Sequence, residues 1–165
     1  VNPATGELFQ PEDLNVINYN EVGTAMLQDA IWARDAWLAE EGNADIATRF
    51  LAASFEGWMY CRDNTQECAD IVLANSPILG AGHQLWMMNE VNGLVWPAEG
   101  GIGSVSTAAW DQTAQIALDA GIIPAAPSEG AYRTDLADAA RALVTGDTIG
   151  ADFQKETVAI TPGGE

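Results

Sequence analysis

Residues Asn43 to Asp63 contain no proline, and Ala47, Phe50, Leu51, Ser54, Phe55 and Trp58 recur along them at helical spacing. A stripe of that period belongs to a helix with one face turned inward. Asn43 is placed to cap its start, and Asp45 sits in the first turn, where the helix dipole favours an acid. Just upstream, "LNVIN" (Leu14 to Asn18) alternates apolar and polar residues as a short strand does, and "YNEVG" reads as a loop. "TAML" and "AIWAR" fit short strands or one helix over Thr24 to Glu40. So quick a switch from extended backbone to a Trp-rich helix suits a fold's interior, or a place where two lobes meet around a small molecule.

Helical signals continue downstream. Asn64 and Glu67 stand as a capping box would place them, and Cys68, Ile71 and Val72 mark the buried side of a shorter helix. "NSPILGAG" breaks it, and "HQLWMMNEVNGLVWP" is a further helix, stopped at Pro97, with Leu85, Met88 and Val95 on one face. Ser106 caps a helix carrying Trp110, Thr113, Ile116, Ala117 and Ala120, and Gly121 is a natural residue just past its end. Thr134 can cap a last helix, Asp135 to Val144. Strands are confined mainly to the first third, which suggests that part of a sheet lies elsewhere.

Charge narrows the partners. Twenty-four acids face six bases, for a net charge of −18, and Lys155 is the only lysine. Such a surface repels polyphosphate backbones, so nucleic acid is excluded as a partner. An acidic, lysine-poor surface also motivates the hypothesis of a saline habitat, which a stability series in potassium chloride checks. No stretch approaches the ~20 apolar residues of a membrane span. "VNPATGELFQPED" at the start lacks the basic and apolar parts of a signal peptide, as a mature or truncated chain would.

Catalytic sets are scarce. His83 is the only histidine, and a lone histidine before an apolar helix reads as a structural or capping group. "GGIGS" lacks the lysine and spacing of a phosphate loop. Cys61 and Cys68 lie seven residues apart, and closing that loop would stabilise by roughly 2–3 kcal/mol. Spacing alone leaves a disulfide and two reduced core cysteines equally open. Zinc lacks a four-ligand set, because two thiols and a distant His83 fall short of it. Among many carboxylates, Glu21 and Asp29 lie beside small and aromatic residues, where an acid is either solvated or accepts a hydrogen bond from a ligand amine or ring N–H. Of six tryptophans, Trp58 and Trp110 sit in core stripes, and Trp32 is the candidate wall of a cleft.

Four blocks, "YNEVGTAMLQDAIWARDAWLAE", "ATRFLAASFEGWMYCRDNTQECADIVL", "HQLWMMNEVNGLVWP" and "GIGSVSTAAWDQTAQIALDAGII", in that order resemble substrate-binding proteins of ABC importers, of the thiamine-pyrimidine-precursor, riboflavin, nitrate and taurine type. The likeness runs from about Leu14 to Phe153 and is most specific in "RFLAASFEGWMYCRDN". It implies an α/β class: the helix-rich C-terminal portion of a two-lobed periplasmic-binding-protein fold, with few short strands. Residues 1–28 would be the end of the second lobe and a crossing segment, and residues 29–165 the C-terminal part of the first lobe. By position in the motif, Tyr19, Asn20, Glu21, Asp29 and Trp32 would lie nearest the ligand. The resemblance favours the Cys61–Cys68 disulfide, because such proteins work outside the cytoplasmic membrane, where disulfides persist.

It further implies no catalysis, no cofactor and no metal. The expected partners are a small-molecule ligand, a membrane permease and an N-terminal half missing from this chain. The expected location is periplasmic or extracellular, with a lipid anchor to be carried by that half. An enzyme of the pyrimidine-precursor synthase type is the alternative, although the cysteine cluster of those enzymes has no counterpart here. A stand-alone helical partner-binding module is the third reading.

Overall fold

The computed structural model describes residues 2–159 and 161–165. Among them the regular elements are helical: α1 (Asp35–Leu38), α2 (Asn43–Asp63), α3 (Thr65–Asn75), α4 (Ala81–Val95), α5 (Thr107–Asp119) and α6 (Asp135–Leu143), with 3-10 turns at Pro11–Asp13 and Pro162–Gly164. No strand occurs among the described residues. This overturns the α/β expectation of a portion of a two-lobed periplasmic-binding-protein fold. The physical reason lies in "LNVIN". A strand needs a neighbour for its backbone groups. No second strand is available among the described residues, and Leu14, Val16 and Ile17 are exposed. Thr24 to Glu40 is likewise neither a set of strands nor one helix; only the four residues of α1 are helical.

The chain forms two compact units. The first joins the residues up to Ile31 with Val105–Ala131. Its helix is α5, capped by Ser106, whose hydroxyl accepts a hydrogen bond from the Ala109 N–H at 3.3 Å. Gly121, at φ 67°, follows its last residues as the sequence predicts. The extended segment before α1 is fastened to this helix. The Leu27 N–H donates to Thr113 Oγ1 at 2.7 Å, and Gln112 Nε2 donates to the Ala25 carbonyl at 2.6 Å.

The second unit, Trp32–Ser104 with Tyr132–Glu165, contains the other helices. Its core joins Ala52, Phe55 and Met59 of α2 to Ala137 and Ala140 of α6, with Trp96 and Ile102 from the segment after α4. Alanines at the contact let α2 and α6 approach closely, and Ala140 is 0% exposed. The buried face of α2 is thus rotated from the predicted stripe. Phe55 is common to both, but Phe50 is exposed and Trp58 lies at the boundary with solvent, while Ala52 and Met59 are buried. Gly103 passes so near the Phe55 ring that a Cβ would stand 2.4 Å from Cζ, and its φ of 77° is left-handed.

Capping departs from expectation at three places, one of them Thr134, which precedes α6 and makes no side-chain cap hydrogen bond. Gly42 precedes α2, and Asn43 is its first residue, its amide donating to the Trp37 carbonyl at 2.7 Å. Asn64 makes no side-chain cap for α3; its amide donates back to the Tyr60 carbonyl at 3.0 Å. Glu67 instead accepts from the Tyr60 hydroxyl, which raises the tyrosine pKa above its ordinary value. Across this turn Cys61 and Cys68 are disulfide-bonded, with Cα atoms 5.5 Å apart. No helix among the described residues is long and apolar enough to cross a membrane.

Candidate ligand-binding site

Of the residues predicted to face a ligand, Tyr19, Asn20, Glu21 and Asp29 belong to the first unit and Trp32 to the second. Tyr19, Asn20 and Glu21 share one exposed turn of the first unit. Asn18 organises it: its Oδ1 accepts from the Asn20 N–H at 3.0 Å, and its carbonyl accepts from the Glu21 N–H at 3.0 Å. The Asn20 amide also turns to Asn18 Oδ1, at 3.3 Å, and Glu21 accepts from the Asn18 amide at 3.4 Å. Asp29 is exposed on the same unit with a left-handed φ of 41°. Trp32 belongs to the second unit and is 80% exposed. His83 lies beside Trp86 with ring centroids 6.1 Å apart.

A concave site does form in the second unit. Glu90, Gly93 and Leu94 of α4, with Trp96, Phe153 and Lys155, line an open depression of about 300 Å³. Sequence reasoning missed all six as site residues. Two signals pointed toward them: the polar interruption "NEVN" in an apolar helix, and the lone lysine.

Local folding explains the arrangement. Asn89 is 3% exposed and grips the C-terminal segment at two points. Its Nδ2 donates to the Glu156 carbonyl at 2.8 Å, and its Oδ1 accepts from the Glu156 N–H at 2.9 Å. One side-chain amide thereby replaces a missing strand for this piece of backbone. The grip lays Lys155 across α4, where a Cβ on Gly93 would stand 2.9 Å from Lys155 Cδ. Lys155 Nζ then reaches Glu90 Oε2 at 2.9 Å.

One turn further, Asn92 is 0% exposed and donates to the Cys61 carbonyl at 3.1 Å. The predicted apolar face of α4 is therefore centred on two asparagines, with Leu85, Met88 and Val95 only half-buried beside them.

Trp96 forms the inner wall and is held from behind. The Arg62 guanidinium stands 4.8 Å from its ring centroid, a cation–π contact. Arg62 Nη1 donates to the Asp147 carbonyl at 2.7 Å, and Nε pairs with Asp63 at 2.7 Å. That hydrogen-bonded partner raises the Arg62 pKa and lowers that of Asp63. Asp147 is held below the usual carboxylate range by the N–H groups of Gly150 and Ile149, both 3.0 Å from its Oδ1. No cluster of potential metal ligands occurs among the described residues.

The chemistry this depression offers is an apolar floor with one acceptor and one donor at its edge. Comparison with protein-family models, curated proteins and solved structures finds no match to the chain.

Proposed function

We propose that this chain is the solute-capturing component of an ABC importer for a small planar nutrient of the thiamine-pyrimidine-precursor or riboflavin kind. The supporting observation is the ordered set of four sequence blocks, of which "RFLAASFEGWMYCRDN" is the most specific. The Cys61–Cys68 disulfide suits a protein working outside the cytoplasmic membrane. A depression with an apolar floor and a polar edge suits a small ligand. A membrane permease is the partner proposed with this role, and no catalytic step is part of it.

Titration of the purified protein with the pyrimidine precursor, riboflavin, nitrate and taurine, followed by tryptophan fluorescence and calorimetry, checks the role. Saturable binding of one of them is expected; a flat response to all four rejects it. The enzyme alternative would require a pyrimidine product formed from a vitamin B6 donor.

A helical partner-binding module is favoured by one observation: large apolar side chains such as Ile78 and Leu94 stand open to solvent on an all-helical framework. It gives the flat titration together with cooperative unfolding of the chain alone.

A further inference from the structure

Leu94 is 86% exposed at the mouth of the depression, while Trp96 behind it is buried, so the site has a hydrophobic lip and a fixed wall. Among the described residues, the charged side chains lining it are Glu90 and Lys155, already paired at 2.9 Å. Their charges cancel. A charged ligand would take one partner and leave the other unpaired, and an anion would also meet the field of a chain at −18. A neutral edge carrying an N–H beside a carbonyl satisfies both at once, because the N–H donates to Glu90 and the carbonyl accepts from Lys155. Flat rings suit the apolar surfaces of Leu94 and Phe153, with the buried Trp96 backing the site. A volume of about 300 Å³ is the small end of ligand sites, which limits the guest to one or two fused rings, or three at most.

We infer that the depression formed by α4 and the Phe153–Lys155 segment binds a neutral planar heterocycle through a cyclic amide or ureide edge, read jointly by Glu90 and Lys155. This rests on the solute-capture reading for its biological meaning, and it assigns to that reading a site and a ligand edge.

The experiment uses uracil and lumichrome as probes, with 1,3-dimethyluracil as the analogue that keeps the ring and carbonyls but has no N–H. Amide NMR shifts of the full chain locate binding, and calorimetry measures it. The expected result is shifts at Gly93, Leu94, Phe153 and Lys155. Affinity should fall about tenfold for the dimethyl analogue and for Lys155→Met or Glu90→Ala, the worth of one hydrogen bond to a charged group.

Equal binding of the dimethyl analogue, or shifts confined to other residues, overturns the assignment. The wild-type shift map keeps it falsifiable if a variant fails to fold. A transported solute that binds without moving these four amides overturns this site and leaves solute capture standing. Probe shifts here, with none of the four transported solutes bound, keep the site and reject the importer role.

Discussion

Replacing Asn89 by leucine should loosen the segment that carries Lys155, and the cost can be worked from two hydrogen bonds. The side chain is 3% exposed and bonds the Glu156 carbonyl at 2.8 Å and the Glu156 N–H at 2.9 Å. Leucine fills a similar volume and offers neither bond. Each intramolecular bond has a net worth of about 0.5–1.5 kcal/mol, so the pair amounts to about 1–3 kcal/mol, with water able to reach the exposed Glu156. For a chain of this size that is a fall in Tm of about 2–12 °C.

Asn92 is the internal control. It is 0% exposed and three residues along the same helix, yet its Oδ1 has no partner, and the Cys61 carbonyl it serves also accepts from Thr65 Oγ1 at 3.5 Å. Asn92→Leu removes an unpaired buried oxygen along with one bond, and should cost less than about 1 kcal/mol. Urea denaturation gives both energies, and hydrogen exchange at the Glu156 amide shows the local release. If Asn89→Leu stays within about 0.5 kcal/mol of wild type, or if Asn92→Leu is equally damaging, pairing is not what keeps these asparagines buried.

Three further outcomes are expected. Reduction of Cys61–Cys68, or the double Cys→Ala variant, should lower stability by about 2.4 kcal/mol from the seven-residue separation, read as a shift in the urea midpoint; no shift would mean that the unlinked helices hold each other unaided. Ala140→Leu inserts a side chain where α2 meets α6 and should cost about 1–3 kcal/mol, whereas Ala139→Leu on the exposed side should stay within about 0.5 kcal/mol; equal effects would contradict the α2–α6 packing. Asp147 has a folded-state pKa below its unfolded value, so its carboxylate contributes stability above about pH 4 and loses that contribution as pH falls through the lowered value. Asp147→Ala should therefore lower Tm at pH 7 and converge with wild type as pH falls below the lowered pKa; parallel Tm curves throughout an acid titration would refute the linkage.

Local signals were legible where a decision depends on neighbours in sequence. Proline-free runs and Gly/Pro punctuation placed α2 to α6 to within a few residues, and Ser106 and Gly121 mark the two ends of α5 as expected. The spacing of Cys61 and Cys68 admitted the disulfide without requiring it. Facing was less legible. α2 has large apolar groups nearly all round, so Phe50 and Trp58 competed with Ala52 and Met59 for the core until α6 supplied a partner.

The candidate site was harder still. Asn89 and Asn92 read as interruptions of an apolar helix, and only the backbone of Glu156 and Cys61 turns them into buried anchors. Leu14 to Asn18 failed in the opposite sense, with a strand-like alternation that found no ladder.

The amino-acid sequence by itself determined where this chain can be helical, where it must turn and how strongly acidic its surface is. These follow from backbone sterics, side-chain shape and ionisation, which act over a few residues. Tertiary structure alone decided that no sheet forms among the described residues, that α2 buries Ala52 and Met59, and that Lys155 lies across Gly93 to meet Glu90. Each of those outcomes depends on a hydrogen-bond partner or a packing surface drawn from a distant part of the chain, and the spacing of nearby residues carries no record of it.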